Sequence, residues 1–220
     1  MDDQILAIYG VCHDFLKALH HWEDRQPKMT AAEVMPTALV AMRFCGGNFE
    51  QARALLGTSQ YLPTMLSRSR LNRRMYQLQH LFVTLFDRLG QTWKEINDES
   101  VSIIDRFPVA VCANYRIPHA HIDHQETDRG YLASKKRSFY GLKIHLLGTP
   151  QGHPVACLLT PGSSSAGRAL RSFQVAIPKG SVISAEKAYH DDGMEDLMYE
   201  SATIALSPLR QEHSKRAIPP

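Results

Sequence analysis

Val101-Ser102-Ile103-Ile104-Asp105 and, further along, Ser181-Val182-Ile183-Ser184-Ala185-Glu186 are two short apolar runs that each close on an acid. Runs of this length, rich in β-branched residues, read as buried strands, so each delivers a carboxylate at a strand end. Between them Gly141-Leu142-Lys143-Ile144-His145-Leu146 alternates, Thr149-Pro150-Gln151-Gly152 supplies a turn, and Val155-Ala156-Cys157-Leu158-Leu159-Thr160 returns. That pattern predicts a β-hairpin. Pro161-Gly162 ends it, after which the spacing predicts a short helix over 165–173, the strand into Glu186, a helix over 192–201 and a strand over 202–206.

The predicted order is strand, hairpin, helix, strand, helix, strand. Apart from a missing final helix, this is the element order of a ribonuclease-H-like α/β domain with a mixed sheet. The preceding residues read as helical. Ile5, Tyr9, Cys12, Leu16 and Leu19 recur at spacings of four and three, a stripe that faces a core. Thr30 with Glu33 forms a capping box for a second helix that Gly46-Gly47 closes, and Pro36 is expected to kink or shorten its first turns. A short helix, Phe49 to Leu56, ends at Gly57. Leu71, Met75, Leu78, Phe82, Leu85 and Leu89 then predict one long helix over 65–89, between Pro63 and Gly90. The expected division is a helical DNA-binding region over 1–97 and a ribonuclease-H-like catalytic domain over 98–220 that lacks its last helix.

With 220 residues, 44% of them hydrophobic and 21% charged, the chain can bury a real core. No apolar stretch approaches the roughly 20 residues needed to cross a bilayer, and the N-terminus carries acids where a secretory signal carries bases, so a cytoplasmic protein is expected. Cys12, Cys45, Cys112 and Cys157 are far apart, which indicates buried reduced thiols and neither a zinc knuckle nor a disulfide framework. A net charge of +3 demonstrates no particular partner, but its distribution is uneven. Four arginines and no acid fall within 67–74, and five basic residues and no acid within 129–143.

Arg70, Arg73 and Arg74 share one face of the long predicted helix, with Arg68 one turn earlier. Such a face suits phosphates or guanine edges, and equally suits plain solvent. Lys135, Lys136, Arg137, Tyr140 and Lys143 mix cations with an aromatic ring, as segments that follow a phosphate backbone and stack on bases do. Lys187 stands beside Glu186, where it could hold a phosphate. Phosphodiester cutting and rejoining requires hard carboxylate ligands for divalent metal ions, and Asp105 and Glu186 supply two. A third is normally needed. Glu195, Asp196 and Glu200 read as an exposed helix face, and Glu212 lies in a polar tail.

The stretch Ser102 to Val109, then Arg129 to Arg137 with Phe139-Tyr140-Gly141-Leu142-Lys143-Ile144-His145, then Glu186-Lys187-Ala188-Tyr189, resembles the insertion-sequence 982-type DDE transposases. Gly46-Gly47-Asn48-Phe49-Glu50 and Met65 to Arg74 extend the likeness into the helical half. The resemblance implies metal-dependent DNA strand cleavage and transfer at element ends, with Asp105 and Glu186 as catalytic metal ligands and Mg²⁺ or Mn²⁺ as cofactor. It implies double-stranded DNA at insertion-sequence ends and at the target as partners, a homodimer on paired ends, and a place at the nucleoid. The family usually carries Asp where Glu186 stands, a shift of the carboxylate by roughly 1 Å. It tends to carry a polar His and an Asp where Ser164 and Ala166 stand, and a third acid on a helix beyond the tail 214–220. The expected function is therefore that of a truncated or impaired transposase copy. The alternative is a non-catalytic DNA-binding fragment that recognises element ends or regulates intact transposase. A third reading, a metal-dependent hydrolase, would use the cluster His119, His121, Asp123 and His124.

Overall fold

A computed structural model of the chain describes residues 1–23, 27–57, 61–96, 101–113, 126–132, 136–173, 178–189, 191–202 and 204–208. Two compact units divide it, Met1–Arg88 and Leu89–Pro220.

The first unit is built from α1 (Asp2–Ala18), α2 (Ala31–Phe44), α3 (Phe49–Leu56), α4 (Arg68–Gln77) and the start of α5 (Gln79–Ile96). The capping box closes as expected: Glu33 accepts the backbone N–H of Thr30 at 2.7 Å, satisfying a donor the helix cannot pair internally. Asn48 caps α3 by accepting from the N–H groups of Glu50 and Gln51 at 3.0 and 3.2 Å. The helix α2 runs through Pro36, which is buried. Ile5, Cys12 and Leu16 of the first stripe are buried with Val34, Met35, Val40, Leu56, Leu71, Leu78, Leu81 and Leu85 in one core, but Tyr9 is 41% exposed.

The single long helix expected over 65–89 is two helices. Leu78, with φ −94° and ψ 8°, separates α4 from α5. Its side chain is buried in the same core as those of Leu71 and Leu81, so one continuous apolar stripe crosses the break. Side-chain periodicity therefore does not register it.

The second unit contains β1 (Val101–Ala113), β2 (Arg129–Leu132), β3 (Arg137–Gly148), β4 (Pro154–Pro161), α6 (Ala166–Ser172), β5 (Val182–Ala185), α7 (Asp192–Ala202) and β6 (Ala205–Pro208). The strands form one mixed sheet in the order β2-β3-β1-β5-β6, with β4 also paired to β3. The α/β class and the order of hairpin, helices and later strands are as the sequence predicts. β2 is an addition, a four-residue strand with little apolar signal. Residues paired across β1 and β3, such as Ile104 with Leu147 and Arg106 with His145, share a face. On that face Ile104, Leu147, Ile183, Ala185 and Tyr189 pack against Ala166, Leu170 and Met194 of the two helices. The other face of β1 is more open: Ile103, Phe107 and Val109 are 43, 44 and 39% exposed. Pro108 lies between two of these residues in a part of β1 that β5, paired only with residues 101–104, no longer accompanies. A residue without an N–H is tolerated there.

Gly141 is needed at a bulge. Its φ is +150°, and a Cβ on it would run into the carbonyl oxygen of Val109 where the β1–β3 register shifts. The thiols are not uniformly buried: Cys12 is, whereas Cys157 is exposed on β4.

Candidate active site

The topology decides what meets what. β1 and β5 are parallel, with Ile103 beside Ser184 and Ile104 beside Ala185. The next residue of the chain after each of this last pair is an acid, so Asp105 and Glu186 emerge side by side. Asp105 does not end its strand as the sequence predicts: β1 runs on to Ala113, and Asp105 remains in the sheet, opposite Leu146 of β3. Glu186 leaves it, and its carbonyl accepts the N–H of Tyr189 at 2.9 Å in a 3₁₀ turn, Lys187–Tyr189.

The two carboxyl groups are close enough for the charge of one to act on the other. Partial burial, and then the neighbouring Asp105 charge, push the Glu186 carboxyl above its usual range, while Arg106 opposes the rise. Two carboxylates that repel each other this closely are a donor set that a hard divalent cation would relieve, and oxygen ligands are what Mg²⁺ or Mn²⁺ takes. The pair fits such an ion, since both ligands are carboxylates. Among the described residues, no group of three or more His, Cys, Asp or Glu side chains gathers to hold a metal.

Three neighbours were not assigned a role from sequence. Arg106 gives its backbone N–H to Asp105 Oδ1 at 2.6 Å, and its Nε stands 3.7 Å from Glu186 Oε2. His145 is fully buried behind them: Nδ1 is 2.7 Å from the hydroxyl of Tyr189, and Nε2 is 3.1 Å from Thr160 Oγ1. Burial, reinforced by Arg106 and Lys143, drives the His145 pKa down to about 4, so the ring is neutral, with one nitrogen donating and the other accepting. Tyr189, also fully buried, meets the imidazole edge-on at 5.8 Å. Burial first of all raises its hydroxyl pKa, so it remains a protonated donor or acceptor. The hydrogen bond from β3 through His145 to Tyr189 thus braces the turn that begins at Glu186. The available sequence signal was a histidine on the same side of β3 as Leu147, but its partners come from distant segments.

The expected DNA-contacting residues separate in the structure. Arg68, Arg70 and Arg73 are exposed on α4, with Arg68 Nε 3.8 Å from Glu50. Arg74 is not a free cation: it is ion-paired with Glu23, and about three quarters of each side chain is covered. Lys136 and Arg137 are exposed. Tyr140 is only 6% exposed, which leaves no ring face for a base to stack on. Lys143 is partly buried, donates to the carbonyl of Ser164 at 2.8 Å, and has its pKa lowered by burial and then by Arg106. Lys135 and the side chain of Lys187 lie outside the described residues, as do Glu212 and the cluster His119, His121, Asp123 and His124. Of the acids read as an exposed helix face, Asp196 and Glu200 are exposed but Glu195 is 8% exposed.

Over residues 95–218, more than half of the chain, the sequence matches a family model described as a transposase DDE domain. The chain belongs to the DDE transposase family. The matched segment contains both carboxylates, every strand of the sheet and the two helices that cover it. DNA is the substrate of such enzymes, and divalent metal ions serve their chemistry. No match is found among curated proteins or among solved structures. No helix in the described residues is long and apolar enough to cross a membrane.

Proposed function

We propose that this DDE transposase cuts and transfers DNA strands at the ends of a bacterial insertion sequence, with Asp105 and Glu186 as its catalytic metal ligands. The observation that carries the proposal is the parallel register of β1 and β5, from which the two acids emerge as neighbours. Mg²⁺ or Mn²⁺ held there would activate the attacking oxygen and stabilise the leaving one. The chain's own residues do the rest. His145 and Tyr189 fix the turn that presents Glu186, and Arg106 places a guanidinium where a phosphate would lie against the acids. Arg68, Arg70 and Arg73 on α4, with Lys136 just before β3 and Arg137 at its start, follow the DNA backbone. Lys135 and Lys187 join them in this reading. A homodimer acting at the nucleoid of the cytoplasm completes it, as paired element ends require two active sites.

A second reading has a specific observation in its favour: only two carboxylates gather among the described residues, and a cation of the chain itself stands beside one of them. On that reading the protein is a non-catalytic DNA-binding fragment that competes with intact transposase. Incubation of the purified chain with supercoiled DNA bearing element ends, in Mg²⁺ or Mn²⁺, separates the two. Nicking that disappears in Asp105→Ala supports the enzyme; tight binding without nicking supports the fragment.

A further inference from the structure

Among the described residues, Arg106 is the cation paired with the carboxylate pair. Its backbone N–H is committed to Asp105, and its side chain, 30% exposed, reaches Glu186, 49% exposed, at a distance of 3.7 Å. That separation is longer than a charge-assisted hydrogen bond, which lies near 2.7–2.9 Å, so the guanidinium screens the acid without being locked to it. Its charge also bears on Lys143 and His145, so the arginine stands in a crowd of donors with Glu186 as its counter-charge. A divalent ion entering between Asp105 and Glu186 would meet this positive group at close range, and two cations competing for one carboxylate weaken each other.

We propose that Arg106 couples cation binding to DNA binding: without DNA it occupies Glu186 and weakens cation binding, and a DNA phosphate draws it away and frees the acid pair. A phosphate offers the guanidinium two oxygens in the geometry of its fork, a better partner than one carboxylate oxygen at 3.7 Å. The coupling must be reciprocal, so the cation also tightens DNA binding, by the same factor. The proposal rests on the reading of Asp105 and Glu186 as a cation seat.

The test needs no catalysis. Titrate Ca²⁺, which takes the same hard oxygen ligands, into the full chain by calorimetry, alone and with a saturating DNA duplex, and compare Arg106→Gln and Arg106→Lys. In the wild type, DNA is expected to tighten Ca²⁺ binding by roughly tenfold, a coupling of ordinary size. Arg106→Gln is expected to bind Ca²⁺ about as tightly without DNA as the wild type does with it, and to show little further gain. Arg106→Lys, which keeps the charge, should bind Ca²⁺ in the absence of DNA as weakly as the wild type. If Arg106→Gln binds Ca²⁺ no more tightly than the wild type while Asp105→Ala abolishes binding, the coupling is wrong and the cation seat stands. If the wild type and Arg106→Gln both fail to bind Ca²⁺, with and without DNA, the seat itself is wrong and the coupling falls with it.

Discussion

His145 is a histidine that the fold keeps uncharged. An unfolded histidine titrates near 6.5 and this one near 4. Between those values the unfolded chain binds the extra proton and the folded chain does not, so stability is whole above about pH 6.5 and declines as the pH falls toward 4. With each pKa unit worth about 1.4 kcal/mol, the decline attributable to His145 approaches roughly 3 kcal/mol. Urea unfolding at pH 7 and pH 4.5 checks it: the wild type should lose about 2 kcal/mol more than His145→Gln over that interval. An equal loss in both proteins would show that another group carries the pH dependence. At this scale the sequence was half legible. Asp105 and Glu186 stand out because each ends an apolar run, a pattern within one segment. The linkage of His145, Thr160 and Tyr189 involves three segments that only the folded sheet brings together.

Among the elements, the β1–β3 pair holds the site, and Gly141 sets its bend. A methyl group at that position meets the carbonyl of Val109, and a positive φ is unfavourable for any L side chain. Gly141→Ala is expected to destabilise the protein by about 2–3 kcal/mol, read from the denaturation midpoint at unchanged m-value. A change below about 0.5 kcal/mol would mean the bulge relaxes without strain. The hairpin of β3 and β4 was legible because alternation and turn chemistry agree there. The division of α4 from α5 was not, because Leu71, Leu78, Leu81 and Leu85 face one core on both sides of the break. β2 was missed for the opposite reason: in Arg129-Gly130-Tyr131-Leu132 only Gly130 is buried, so little hydrophobic pattern marks it.

For the molecule as a whole, the DNA contact proposed for the helical unit requires arginines that its own acids leave free. Among the described residues Arg70 and Arg73 are exposed and pair with no acid, whereas Arg74 is paired with Glu23. Arg70→Ala and Arg73→Ala should each lower the log–log salt slope of DNA binding by about one unit. Arg74→Ala should leave the slope alone and instead reduce stability by about 1–2 kcal/mol, because Glu23 loses its partner in a largely covered place. Fluorescence anisotropy across a salt series, beside thermal melts, separates the two outcomes; a slope lowered by Arg74→Ala would return that residue to the DNA face. The sequence showed the arginine cluster but could not rank its members, since Glu23 lies 51 residues from Arg74.

The open face of the sheet has its own consequence. Phe107, Ile144 and Leu159 stand in register across β1, β3 and β4, the outer two 44 and 58% exposed. An oily ridge beside a strand edge that β5 does not cover would ordinarily invite amyloid growth, each new molecule extending the ladder by its backbone. Pro108 interrupts that route, since a fibril needs an unbroken series of amide donors. Molecules that adhere through this ridge would do so by side chains alone, in clusters that dilution disperses.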